Sequence, residues 1–113
     1  NHIGPVLLTD LLLQPLKNSK QGRVITISSK GLVAYPRLKV NLEDPEMRTG
    51  RFSVQKAYYQ SKLAQVMYTY WLADELKDSN ITANCIRVAN VNIDIYARYP
   101  TTSKIARMAP PAM

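Results

Sequence analysis

The chain has 113 residues, enough for one small domain with a core, and its 46% apolar content is ordinary for a globular protein. The formal charge of +7 is spread from Lys17 to Arg107 without a dense basic block, so it reads as solvated charge and argues against a nucleic-acid site. No apolar run approaches the length that spans a membrane, no secretory leader is visible, and a single Cys85 excludes an internal disulfide framework and fits a reducing compartment.

Residues 1–17, NHIGPVLLTDLLLQPLK, put Ile3, Leu7 and Leu11 on one helical stripe and Leu8, Leu12 and Leu16 on another, interrupted by Pro5 and Pro15. NSKQG at 18–22 is turn-forming. RVITIS at 23–28 is short and β-branched, the pattern of a buried strand. Residues 30–52 contain Gly31, Pro36, Pro45 and Gly50 with little periodicity, a long excursion of the kind that is often functional in a compact domain. Residues 53–78 form the strongest helix, with Val54, Ala57, Ser61, Ala64, Tyr68 and Trp71 on one expected packing stripe. DSN at 78–80 ends it. ITANCIRV at 81–88 is a second strand, in which Cys85 reads as core packing. An irregular tail follows, with a short helix expected near 101–108.

A strand, a crossover helix and another strand imply a parallel pair, hence α/β architecture. Ligands of such sheets bind beyond the carboxyl ends of the strands. The segments after Ser28-Ser29 and after Val88, with the helix carrying Tyr58, should therefore converge on one site.

In KAYYQSKLAQ, residues 56–65, Tyr58 and Lys62 stand four apart, on one helix face about a turn from each other. A free phenol titrates near ~10 and is a poor proton carrier at neutral pH, but a nearby ammonium favours its phenolate. Such a tyrosine could give a proton to a developing alkoxide or remove one from an alcohol. Ser29, at the first strand's end, is the candidate to hold the substrate oxygen. Pro5 lacks the amide that a helix would send to the Asn1 carbonyl, which leaves that oxygen open to a water. The Tyr-Lys spacing alone occurs by chance in many helices, as an exposed pair.

Taken together and in this order, NHIGPVLLTDLLL, RVITISS, the acidic NLED stretch, AYYQSKLAQ and ITANCIRV resemble the short-chain dehydrogenase/reductase family, particularly its retinol-dehydrogenase-like branch, over residues 1 to about 95. The resemblance implies a partial Rossmann-type α/β fold, three layers α/β/α when whole, of which residues 1–113 would be the carboxyl-side part of one domain. It implies Tyr58 as general acid/base, Lys62 as the charge that tunes it and bonds a nicotinamide ribose, and Ser29 as the group that orients the substrate. Asn1 would hold, by its main-chain carbonyl, a water linking the lysine to bulk solvent. Ser28 and Tyr59 would be structural. The cofactor would be NADP or NAD, with NADP favoured, and no metal is implied.

Two departures stand out. Val88 and Ala89 replace the family's Pro-Gly, and Ile93 replaces a threonine; the Val91 backbone would still be placed to hold the nicotinamide carboxamide. The family's glycine-rich pyrophosphate loop, which lies upstream of the position of Asn1, is absent, so the piece alone would not be expected to turn over. The branch implies a lipophilic alcohol or carbonyl substrate, with Ile95, Tyr96, Ile105 and Met108 either lining its pocket or simply packing. It also implies a cytoplasmic or membrane-surface location and homo-oligomerisation through the long helix. The rivals are a non-catalytic binding or scaffolding protein on the same fold and a sugar-nucleotide epimerase or dehydratase among the extended relatives.

Overall fold

A computed structural model describes residues 1–88. The expected helix near 101–108, the tail residues Ile95, Tyr96, Ile105 and Met108, and Ala89, Val91 and Ile93 all lie outside the described residues. Helix α1 spans Ile3–Lys17, strand β1 Gly22–Ser29, helix α2 Val54–Glu75 and strand β2 Ile81–Val88, with a 3-10 turn at Lys30–Ala34 directly after β1. The strands are parallel and adjacent, in a register that runs from Gly22 opposite Ile81 to Ser29 opposite Val88. The expected β-α-β order and α/β architecture are thus present. Strand β1 gains one residue at each end over the expected 23–28, because the ladder continues until Ser29 turns away as the cap of the 3-10 turn. Helix α1 begins at Ile3, so Asn1 and His2 precede it, and α2 is shorter than the expected 53–78.

Local chemistry sets these ends. Ser53 caps α2, its hydroxyl accepting the Lys56 amide at 3.3 Å. Pro5 falls in the first turn of α1, where helical amides have no intrahelical acceptor in any case. The Asn80 side chain donates to the carbonyls of Lys17 (3.2 Å) and Ser19, and its own carbonyl accepts the Gly22 amide at 3.0 Å. One residue, by side chain and backbone, thereby ties the end of α1 to the starts of both strands. Gly22 suits the close approach there, since a Cβ would lie 2.9 Å from Ile81 Cγ1 and 3.2 Å from the Leu16 carbonyl oxygen.

Helix α2 lies on the sheet with a face that the apolar stripe did not indicate. Its inward residues are Gln65, Thr69, Leu72 and Leu76, whereas Val54 is 75% and Trp71 55% exposed. The small core consists of Leu72, Leu76 and Ile81, flanked by Leu13, Leu16, Val24, Tyr68 and Ala83. Further along the helix the contact becomes polar: the hydroxyls of Thr69 and Thr26 meet at 2.9 Å. Rotation of α2 is therefore set by polar anchors as well as by grease. Tyr68 joins the two helices, donating from its hydroxyl to Asp10 at 3.1 Å, and burial, with Asp10 second, pushes that phenol's pKa up.

Most apolar residues of α1 and those on the far face of the sheet, including Ile25, Ile27 and Ile86, stay exposed among the described residues. None of the described helices is long and apolar enough to cross a membrane.

Leu72 is 1% exposed at the centre of the core, so Leu72→Ala should lower unfolding free energy by about 2–5 kcal/mol in urea titrations. Val54→Ala, on the face first expected to pack, should stay within about 0.5 kcal/mol of the parent.

Candidate active site

The crossover runs α2 antiparallel to the strands, so its first turns lie over their carboxyl ends. Lys62 reaches down there. Its ammonium donates to the Ile27 carbonyl at 2.9 Å and to Gln65 Oε1 at 3.3 Å. Tyr58, one turn earlier, is 42% exposed, and the Lys62 Nζ sits 5.8 Å from its ring centroid. The phenol is thus not sealed in the interior. Ser29 ends the strand two residues beyond Ile27, and its hydroxyl accepts the Gly31 amide at 3.2 Å.

Asn1 joins the same cluster from the other side. Its carbonyl accepts the Gln65 side-chain amide, and its own amide donates to Ser61 Oγ at 3.4 Å. The Ser61 hydroxyl in turn donates to the Tyr58 carbonyl at 2.7 Å. The open carbonyl expected at Asn1 is therefore met by a glutamine amide of this chain. Among the sequence-derived candidates, the structure gathers Asn1, Tyr58 and Lys62 around one stretch of α2, with Ser29 at the adjacent strand end. No hydrogen bond among the described residues joins Ser29 to Tyr58 or Lys62. Val91 lies outside the described residues.

Tyr59 has the structural role expected of it. Its ring covers Gly31, stacks on Tyr35 at 4.7 Å between centroids and meets Tyr58 edge-on at 5.1 Å. It holds the turn that positions Ser29. Ser28 is buried at 6% exposure and packs, but its hydroxyl has no described partner. It lines a cavity of about 420 Å³ with Ser29, Thr69, Cys85 and Arg87; Tyr58 and Lys62 are not among the described lining residues. Cys85 is half-buried there.

Two glutamines escaped the sequence reading. Gln65 links Lys62 to Asn1, and Gln60 holds the long excursion: its amide donates to the Pro45 carbonyl at 3.0 Å and its Oε1 accepts the Asn41 amide at 3.4 Å. Their signal was available in spacing, since Gln65 stands one helical turn after Lys62 on the same face. Asp44 organises the excursion itself. It accepts the Thr49 hydroxyl, the Thr49 amide at 2.9 Å and the Arg48 amide at 2.8 Å, and these bonds, the hydroxyl first, hold its carboxyl below the usual range. Arg37, Lys39, Arg51 and Lys56, dispersed in sequence, come together with Asp44 around a groove of about 720 Å³.

Comparison with known proteins gives a consistent set. Human retinol dehydrogenase 13 is 40% identical over 86 residues, which cover 76% of this chain and 25% of that protein. Human polyprenol dehydrogenase is 35% identical over 113 residues, covering 95% of this chain and 33% of its own. Dehydrogenase/reductase SDR family member 13 of Bos taurus is 36% identical over 103 residues, 88% of this chain and 26% of that protein. The chain thus spans about a quarter to a third of the length of these relatives. No family model matches it, and no solved structure does.

Gly31→Ala should drive a methyl into the Tyr59 ring and destabilise the turn bearing Ser29. Thermal unfolding should show the loss, and Tyr59→Ala in the same background should return part of it. The Asp44 carboxyl, held low when folded, stabilises the loop above its unfolded value near 3.8 and loses that contribution as pH falls through the depressed folded value. Amide exchange at Arg48 and Thr49 should therefore stay protected near neutrality and open in acid, whereas Asp44→Asn should flatten that dependence.

Proposed function

The chain belongs to the short-chain dehydrogenase/reductase family, in its retinol-dehydrogenase-like branch, and from that premise we propose that the whole protein interconverts an alcohol and an aldehyde or ketone with Tyr58 as its general acid/base. The observation that carries the reading is the pinning of Lys62 to the Ile27 carbonyl at the strand end, one turn from a half-exposed Tyr58. Alignment lengths support reading residues 1–113 as part of one larger Rossmann-type domain.

A nicotinamide cofactor, when bound, supplies or accepts the hydride. The donor set fits one. Lys62 carries three N–H donors, and the Ile27 carbonyl and Gln65 take two of them. The third has no partner among the described residues and suits a ribose hydroxyl. In the reducing direction Tyr58 Oη gives its proton to the substrate oxygen as the carbonyl carbon gains hydride; in oxidation it takes the proton back. The fixed ammonium stabilises negative charge on the phenol oxygen while the proton is away. Ser29 offers a hydroxyl at the strand end to orient the substrate oxygen. The Val91 backbone is proposed to hold the carboxamide, and Asn1 supports Lys62 through its carbonyl.

Relatives named for retinol and polyprenol support a lipophilic substrate; NADP rather than NAD is proposed as the cofactor. Exposed Met67, Tyr70 and Trp71 on α2 support pairing of two copies through that helix, and a membrane-surface location fits the substrate class. A binding or scaffolding protein is the second reading. Val88, paired opposite Ser29 where the family places a proline, favours it because that residue keeps its place in the strand ladder.

With the whole protein, retinal as carbonyl probe, and NADPH and NADH compared as hydride donors, Tyr58→Phe should lower kcat by about 10²- to 10⁴-fold while leaving the unfolding midpoint in place. Turnover by Tyr58→Phe at the parent rate, or none by the parent with either donor, would favour the scaffold.

A further inference from the structure

We propose that Gln65 is the positioning residue of Lys62, a polarised clamp that fixes the ammonium between β1 and the Asn1 carbonyl. The inference rests on the oxidoreductase reading above and deepens it.

Gln65 is 7% exposed, so its amide must find partners within the protein. It finds two of opposite polarity. Its Oε1 accepts from the Lys62 ammonium at 3.3 Å, and its Nε2 donates to the Asn1 carbonyl. Only one orientation of the amide works. Turned over, it would set NH₂ against an ammonium and oxygen against a carbonyl, losing both bonds. The Asn1 carbonyl therefore dictates which end of Gln65 faces Lys62, and Gln65 transmits that choice to the ammonium.

The geometry also limits what the link can carry. An amide bonded in this sense holds a charge in place, but it does not readily release a proton. The bridge from Lys62 to Asn1 accordingly works by position.

Among the described residues, the charged and titratable groups near this cluster are few. Helix α2 presents Tyr58, Tyr59 and Lys62. Strand β1 presents the Ile27 carbonyl and Ser29. The 3-10 turn brings Tyr35 against Tyr59 and begins with Lys30. His2, before α1, packs edge-on against Tyr68. Among these groups, Lys62 is the one that Gln65 touches, besides Asn1.

The test uses the whole protein, oxidising retinol with NADP⁺ or NAD⁺ across a pH series, with Lys62→Met and His2→Gln measured in parallel. Gln65→Met keeps the volume and removes both bonds. It should lower kcat by about 10- to 100-fold, as loss of a bond to a charged group predicts, and move the acidic limb of the profile to higher pH, because the ammonium is no longer held in one place. Gln65→Glu keeps an acceptor for Lys62 but adds a charge that offsets the ammonium, and its limb should move the same way. A purely structural role would change the unfolding midpoint and leave the limb where it is. If either Gln65 variant folds and keeps the parent kcat and limb, the clamp is overturned; if Gln65→Met fails to fold, the limb of Gln65→Glu decides. A limb that shifts in His2→Gln would assign it to the imidazole and also overturn the clamp. Parent-like turnover by Lys62→Met would sink the oxidoreductase reading itself, whereas a crippled Lys62→Met beside unaffected Gln65 variants would sink the clamp alone.

Discussion

The bond between the Lys62 ammonium and the Ile27 carbonyl, 2.9 Å long, fixes how α2 sits on the sheet. A long cationic side chain is costly to hold near a strand unless its donors are met, and a strand carbonyl meets one without competing charge. That bond, with the Thr69–Thr26 hydroxyl pair and the apolar floor, restrains the roll of the helix. Gln65 and Thr69 follow on the same face, and Tyr58, one turn before Lys62, is left half-exposed beside the strand end. A helix held by apolar contacts alone could rotate by several degrees with little penalty. A charged bond at one end and a hydroxyl pair in the middle define the rotation more sharply.

The layer between helix and sheet is graded along the strands. At their amino ends Leu72, Leu76 and Ile81 make a dry floor, with Leu16 and Val24 against it. At mid-height the Thr69 hydroxyl meets Thr26 and the Gln65 carbonyl. Near the carboxyl ends Gln65, Lys62 and Asn1 form a network of charge and amide. Burial supplies stability where no chemistry is needed, and hydrogen bonding supplies position where it is. Each buried polar residue of α2 is bonded: Gln60 to the excursion, Gln65 to Lys62 and Asn1, Thr69 to β1. Off that helix, Ser28 on β1 and His2 Nδ1 are buried polar groups without a described partner, an arrangement that ordinarily costs about 1–3 kcal/mol each.

The strands, their parallel pairing and the two helices were legible because each rests on a local signal: β-branched RVITIS, helical spacing in α1 and α2, turn residues between them. The proximity of the candidate tyrosine and lysine was legible for the same reason, since four residues on a helix is a distance. The packed face of α2 was not. Apolar periodicity counts Val54, Tyr68 and Trp71 as core, but the face is chosen by a lysine, a glutamine and a threonine whose partners lie about 35 to 64 positions away in sequence. The Asn1 carbonyl was singled out through Pro5 as open to a water, and the partner that meets it instead, Gln65, is visible only once the two helices are brought together.

Three consecutive residues of α2 carry the consequence for function. Helical geometry turns each about 100° from the last, so Tyr58, Tyr59 and Gln60 face three different neighbours. Tyr58 faces the open side beside Lys62. Tyr59 lies on Gly31 and Tyr35, at the start of the excursion, and Gln60 grips Asn41 and Pro45 in its middle. The segment between Ser29 and Tyr58, long as it is, is therefore fastened to the helix turn that bears the proposed acid/base. Any movement of that segment must pull on Tyr59 and Gln60, and through them on the backbone of Tyr58, whose carbonyl is already held by Ser61. An excursion of this length would be a liability if it were loose. Fastened here, it is tied at Gly31, Tyr35, Asn41 and Pro45 to the helix turn that bears Tyr58.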